Sequence, residues 1–230
     1  MSAADPAPDG SHGPHVLVDD VEAPLLGAED RHHLTRVLRV REGDPLTVGD
    51  GAGSWRPCRL GSEPEPLDRV FVVPKPEPEI GVAFALIKGS KPETVVQKLT
   101  ELGVDHIIPF TAARSVVQWD DQKSAKNAER LRKVAREAVM QCRRAWLPTI
   151  HDVAGFAEIV AMPGMSMADR SGGVVDLASP LVMVGPEGGW DHAERDANIP
   201  RVRLADPVLR SETAAIAAAT LLGAARSGLS

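Results

Sequence analysis

Proline stands at every second position of Pro74-Lys75-Pro76-Glu77-Pro78-Glu79, and no regular element runs through such a stretch. Each proline removes a backbone donor and fixes φ, which bars the segment from a helix and from the middle of a sheet. It predicts a stiff, extended linker over 74–79. The 230-residue chain is thereby divided into a short first part and a longer second part, and each must build its own core.

The first part has the period and punctuation of short strands. Apolar runs at 15–18, 45–48, 55–60 and 69–73 are separated by Gly43-Asp44, Gly49-Asp50-Gly51 and Gly61-Ser62. One helix fits between them, over 28–38. Closing such strands on themselves predicts a small β-barrel over 15–73. The preceding residues 1–14 lack the basic start and apolar stretch of a signal peptide, and predict a disordered tail.

The second part, 80–230, alternates strand and helix. Strands are predicted at 82–87, 106–110, 148–150, 181–184 and 202–204. Ser90-Lys91-Pro92-Glu93 opens a helix with a capping-box pattern, Val95, Leu99 and Leu102 supply its apolar stripe, and Gly103 stops it. Further helices are predicted over 124–145, over 156–160, after an Asp191 cap, and over the alanine-rich 211–225. This alternation implies an α/β fold: a mainly parallel sheet with helices on both faces.

Composition narrows the function classes. Hydrophobic residues make up 43% of the chain but aromatic ones only 3%, with no Tyr, so the core must be built from Val, Leu, Ile and Ala. No apolar run reaches the roughly 18 residues that span a bilayer, so no membrane partner is expected. Cys58 and Cys142 show neither disulfide nor metal spacing and suit the reduced thiols of a cytoplasmic protein. The seven histidines are scattered, no metal set emerges, and no serine or cysteine nucleophile motif is present. The net charge of −6 argues against a nucleic-acid partner until its distribution is considered. Segment 123–144 holds eight basic and two acidic residues, or +6, while the remainder carries −12. A second basic cluster, Arg31-His32-His33-Leu34-Thr35-Arg36-Val37-Leu38-Arg39-Val40-Arg41, lies in the first part. On charge alone, solvated helix faces explain both.

Three segments hold residues suited to chemistry. The buried strand at 181–184 runs into Gly185-Pro186-Glu187-Gly188-Gly189-Trp190, the kind of turn at which open α/β sheets bind ligands, although the spacing matches no phosphate loop. Leu204 to Ala214 carries an apolar Val208-Leu209 pair in a loop, then Arg210-Ser211-Glu212-Thr213 at a helix start. The pair suits a wall for a flat base. Lys88-Gly89-Ser90-Lys91 sits on the same rim as these two loops.

Taken in order, these segments resemble the RsmE family, which methylates N3 of a uridine in 16S ribosomal RNA. The matching stretches are His33-Leu34-Thr35-Arg36-Val37-Leu38-Arg39, Lys88-Gly89-Ser90-Lys91 with Gln97 to Val104, Gln141-Cys142-Arg143-Arg144, Gly185 to Gly189, and Leu209 to Ala214. The resemblance implies a PUA-like β-barrel followed by a SPOUT methyltransferase domain with a deep trefoil knot. It implies S-adenosyl-L-methionine as cofactor, a homodimer, and 16S rRNA in the 30S subunit as partner. Carried onto this chain, Gly185, Pro186, Glu187, Gly188, Gly189, Leu204, Leu209, Ser211, Thr213 and Ala214 are expected to hold the cofactor. His33, Arg36, Arg39, Lys88, Lys91, Arg136, Gln141 and Arg144 are expected on RNA. Arg210 is the candidate for stabilising charge on the pyrimidine, and Glu212 is either a base or the residue that holds Arg210. Ala205, Asp206 and Pro207 depart from the family pattern, as do Ser211, Met140 and Trp146. Three alternatives stay open at this point: ribose 2′-O methylation of transfer RNA, a non-catalytic RNA-binding assembly factor, and a nucleotide-binding α/β protein.

Overall fold

The computed structural model describes residues 5–89, 91–117, 119 and 121–229. The chain forms two compact units. One comprises residues up to Pro76 together with Arg136–Leu147, and the other comprises Glu77–Ala135 with Pro148–Ser230.

The first unit holds a five-stranded sheet: β1 (His15–Leu17), β2 (Pro45–Gly49), β3 (Ser54–Leu60), β4 (Pro64–Pro66) and β5 (Phe71–Val72). β1 and β2 are parallel; β3 pairs antiparallel with β2, β4 and β5. The helix expected over 28–38 is α-helical only at α1 (Ala28–His32) and continues as a π-helical turn over His33–Val37. Widening the turn lets Leu34 point fully into the core while His33, Arg36 and Val37 stay outside. Arg39, at φ 58°, closes it, with Val40 N–H donating to Leu34 O at 2.9 Å.

Two expectations are corrected in this unit. Residues 5–14 are not a disordered tail: Asp5 pairs with Arg69 at 2.6 Å, and Pro6 O accepts the Trp55 Nε1–H at 2.9 Å. Residues 1–4 lie outside the described residues. The linker also does not end this unit's membership. Residues 136–147 pack against it because its own core, built on Val16, Val18, Leu34, Leu46, Val48, Cys58 and Leu60, is small and takes in Met140. Trp146 donates Nε1–H to Val73 O at 3.0 Å, and Leu147 N–H reaches Gly51 O at 2.8 Å.

The second unit is a seven-stranded parallel sheet. Its elements are β6 (Gly81–Ala85), α2 (Lys91–Glu101), β7 (His106–Thr111), α3 (Asp121–Cys142), β8 (Thr149–Ile150), β9 (Ala154–Gly155), α4 (Phe156–Val160), β10 (Met165–Gly173), β11 (Leu181–Val184), α5 (His192–Arg195), β12 (Arg201–Val202) and α6 (Ser211–Arg226). The strand order is β12-β10-β11-β6-β7-β8, with β9 also on β7. Alternation along β6 divides the core. Val82 and Phe84 face α2 and α6 through Val95, Leu99, Ala215, Ala218 and Leu222. Ala83 and Ala85 face the other way, with Phe110, Met167, Ile159 and Trp190. Helices therefore cover both faces, as expected. Ser90, the expected cap of α2, lies outside the described residues.

β10 is the longest element that sequence reading misses, besides the short β4 and β9. Its second half, Ala168-Asp169-Arg170-Ser171-Gly172-Gly173, shows no apolar period. It is held instead by β12: a Cβ on Gly172 would lie 2.5 Å from the Val202 backbone, so only glycine permits this approach. From β12 on one edge the chain returns past the C-terminal ends of β10 and β11, as residues 203–210, to α6 on β6 and β11. This crossing is the path on which the expected trefoil knot depends.

Candidate functional site

β11 ends at Val184 and the chain reverses at Gly185-Pro186-Glu187-Gly188-Gly189, with Gly189 N–H donating to Pro186 O at 2.9 Å. Asp191 then caps α5 as expected: its Oδ1 accepts Glu194 N–H at 2.8 Å, and Glu194 Oε2 accepts Asp191 N–H at 3.0 Å. Glu194 is buried, and its Oε1 also accepts Ala113 N–H at 2.7 Å, fixing the turn to the segment after β7.

The second reversal, 203–210, meets the first. Ser211 Oγ–H donates to Gly185 O at 3.1 Å. Together they wall a cavity of about 740 Å³ whose third side is Ala168–Ser171 of β10. A Cβ on Gly185 would sit 2.9 Å from the Trp190 ring, so glycine is what lets the indole close under the turn. Trp190 in turn donates Nε1–H to Ala168 O at 3.0 Å, tying the glycine turn to β10.

Of the expected cofactor residues, Gly185, Pro186, Glu187, Gly189, Leu204, Leu209, Ser211 and Ala214 line this cavity, as does Arg210. Gly188 and Thr213 are not part of the lining. Gly188 turns away and its O accepts Arg114 Nη1–H at 3.2 Å, while Thr213 is exposed on the first turn of α6. Glu212 is also absent from the lining: its Oε1 meets Lys91 Nζ at 3.0 Å. Its own backbone amide, followed by Lys91 and Arg210, holds its carboxyl below the usual range despite partial burial.

The lining also contains Trp190, the end of the glycine motif, and Ala168, Asp169, Arg170, Ser171 and Arg195, which the sequence did not mark. The carboxylate of Asp169 accepts Ser171 Oγ–H at 2.6 Å and Ser171 N–H at 2.8 Å. These bonds, with lesser contributions from Arg201 and Arg195, keep it ionised below its ordinary range. The available signal was the glycine pair after this segment, which requires close backbone approach.

Residues 74–223 match the family model of an RNA methyltransferase domain, and residues 26–66 match that of an RNA methyltransferase PUA domain. The ribosomal RNA small subunit methyltransferase E of Mycobacterium bovis is 31% identical, over 90% of this chain and 88% of its own. The protein of the same name from Bacillus subtilis is 31% identical over 84% and 87%. The chain belongs to the RsmE family. A solved member from Neisseria gonorrhoeae, bound to S-adenosyl methionine, superposes with a TM-score of 0.74 at 26% identity, covering 90% of this chain and 95% of that one. The second unit accordingly has the SPOUT methyltransferase fold, and the first has a PUA-like domain.

The RNA candidates of this RsmE chain fall into distinct settings. On the first unit, His33, Arg36, Arg39 and Gln141 are exposed, and Arg144 is half-buried. Arg136 has internal partners. Its guanidinium makes a two-pronged pair with Asp30, both bonds at 2.9 Å, and donates to Leu17 O at 2.8 Å, so both Nη groups are engaged inside the protein. On the second unit Lys88 is exposed, whereas Lys91 is engaged by Glu212. Among the described residues no group of three or more metal-ligating side chains occurs, and no helix is long and apolar enough to cross a membrane.

Proposed function

We propose that this chain transfers a methyl group from S-adenosyl-L-methionine to N3 of a uridine in 16S rRNA of the 30S subunit, acting as a homodimer. The observation that carries the reading is the meeting of two reversals, tied by Ser211 to Gly185 O, around one cavity at the C-terminal edge of a parallel sheet. The names of the relatives and the bound ligand of the Neisseria gonorrhoeae structure support it.

The lining fits such a cofactor. About 740 Å³ falls within the range of cofactor pockets. Leu204, Val208, Leu209 and Ala214 offer an apolar slot for adenine, and the backbone of 185–189 offers polar groups along one wall. Asp169 presents an ionised carboxylate to hydroxyl or cationic groups. When bound, S-adenosylmethionine supplies an electrophilic methyl on a sulfonium.

The protein's own residues must then position the pyrimidine and manage its charge. N3 attacks only after losing its proton to solvent water, and negative charge spreads onto the flanking carbonyl oxygens. Arg210, on the cavity wall, is placed to stabilise that charge. Glu212, ion-paired with Lys91 and held ionised, is assigned to ordering Lys91 and Arg210 rather than to accepting the proton. The first unit, through His33, Arg36 and Arg39, and Lys88 on the second, supply the RNA contacts.

The test incubates the protein and cofactor with small subunits from a strain lacking the modification, and maps the product by nucleoside mass spectrometry. N3-methyluridine is the expected product. A ribose-methylated nucleoside, or no product alongside normal cofactor binding, overturns the proposal.

A further inference from the structure

A second cavity opens on the same edge of the sheet. β6 and β11 are neighbouring parallel strands with Phe84 beside Val184, so the segment after β6 and the glycine turn after β11 emerge side by side. Beyond β6, a cavity of about 170 Å³ is lined by Lys88, Glu93, Trp119, Asn127 and Arg130 over a floor of Ile87 and Leu131. It shares no lining residue with the cofactor cavity. Between them stands the Lys91–Glu212 ion pair: Lys91 precedes Pro92 of the small cavity, and Glu212 follows Ser211 of the large one.

The chemistry of this lining is specific. Glu93 meets Arg130 through Oε1 at 2.9 Å, but its Oε2 is buried and has no hydrogen-bond partner. A carboxylate oxygen left without a donor away from water is unfavourable, and a ligand N–H removes that penalty. The side-chain amide of Asn127 likewise has no partner among the described residues and can both donate and accept. Trp119 supplies an aromatic face, and Lys88 supplies exposed positive charge at the mouth, beside the Arg130 guanidinium that pairs with Glu93. An aromatic face, an unpaired acceptor, an amide and a lysine at the mouth together match a planar heterocycle carrying an N–H, attached to a phosphate chain.

We propose that this cavity receives one unpaired nucleobase of the RNA strand, a neighbour of the nucleotide being methylated, stacked on Trp119 with an N–H directed to Glu93 Oε2. The inference rests on the reading of RNA as substrate. It adds a subsite that sets the register of the strand, so that only a target with a free base at the right spacing reaches the cofactor cavity. A shape requirement of this kind discriminates among RNAs without contacting the reacting base.

The test measures binding of a short single-stranded oligouridylate to the full-length protein, against an abasic oligomer of equal charge. Trp119→Ala is expected to weaken oligouridylate binding roughly tenfold, the loss of one base stack, with Trp119→Phe intermediate, and Glu93→Gln is expected to weaken it by roughly the same factor, the loss of a hydrogen bond to a charged acceptor. Abasic binding and the cofactor dissociation constant should stay unchanged, and thermal melts establish that the variants fold. Equal wild-type affinity for the two oligomers, no measurable oligouridylate binding, or variants without effect would each overturn the subsite. A parallel loss for the abasic oligomer would reduce it to a phosphate contact and overturn it as well. If the base-dependent binding is found but no rRNA methylation is, the enzymatic reading fails and the subsite stands. If methylation is found and the variants are inert, the subsite fails alone.

Discussion

At the scale of single residues, the site separates groups that hold from groups that act. Arg210 lies on the cavity wall at the start of α6; among the described residues it forms no ion pair of the kind that ties Arg136 to Asp30, and it meets the Glu212 charge only at longer range. Arg210→Ala is expected to lower turnover by roughly 100-fold or more, as loss of a charge-stabilising donor does, while cofactor affinity shifts little. Calorimetry and single-turnover rates on the same variant check this, and equal losses in both would reassign Arg210 to binding. His15 gives a second prediction, about stability. It is 3% exposed, bonded through Nδ1 to Thr47 Oγ1 at 2.9 Å, and burial, aided by the Arg143 charge, depresses its pKa to about 4. The unfolded chain takes up this proton near 6.5, whereas the native state takes it up only near 4. Stability supplied by the neutral imidazole is therefore complete above pH 6.5 and is lost as pH falls toward 4, by about 3 kcal/mol in all. Denaturant titrations of the wild type and His15→Gln across that window should converge as pH falls. Parallel curves would show that His15 does not carry the dependence.

At the scale of elements, α6 is fixed at both ends, and this is what presents Arg210. Ser211 ties its first turn to Gly185 O, and Arg226 in its last turn forms a buried pair with Asp105 while donating to Gly103 O at 2.8 Å. Arg226→Met leaves the Asp105 carboxylate buried without that cation, and is expected to lower unfolding free energy by about 3 kcal/mol. Chemical denaturation measures the loss, and an unchanged midpoint would show that the pair contributes nothing net. Much of this architecture was legible beforehand, because α6, α4, the Asp191 cap and the strand before Gly185 follow from period and capping alone. β10 was not, since its cavity-lining half is polar and its place is fixed by contacts with β12 far along the chain. The π-helical turn was not legible either: 28–38 has a helical pattern, and only the demand that Leu34 be buried widens it. Gly185–Gly189 and Leu204–Ala214 meet at one cavity as the resemblance implies, which periodicity could not have shown, whereas Lys88 and Gly89 line another. Gly188, Glu212 and Thr213 show the limit of reading a motif as a lining, since neighbours in sequence alternate between facing the cavity and facing away.

At the scale of the molecule, the excess of acidic residues does not oppose RNA binding, because association responds to where the charge lies. Segment 123–144 carries +6 within a chain of −6, yet its basic residues are not equivalent. Arg130, Arg132 and Arg136 are paired with Glu93, Asp152 and Asp30, which leaves less free charge on the long helix than its sequence advertises. Arg36 and Arg39, exposed on the first unit and without ion pairs among the described residues, are better placed for phosphates. RNA affinity should therefore fall steeply with ionic strength, the logarithm of the binding constant declining by about 0.7 for each phosphate neutralised per unit of log salt. Replacing Arg36 and Arg39 together with Gln should make that slope shallower by about 1 to 1.5. Arg136→Gln should leave the slope unchanged and lower the melting temperature instead, because its guanidinium already has a partner. Filter binding across a salt series, with thermal melts of each variant, separates the two behaviours. A slope that responds to Arg136 but not to Arg36 and Arg39 would place the RNA along the long helix and away from the π-helical turn.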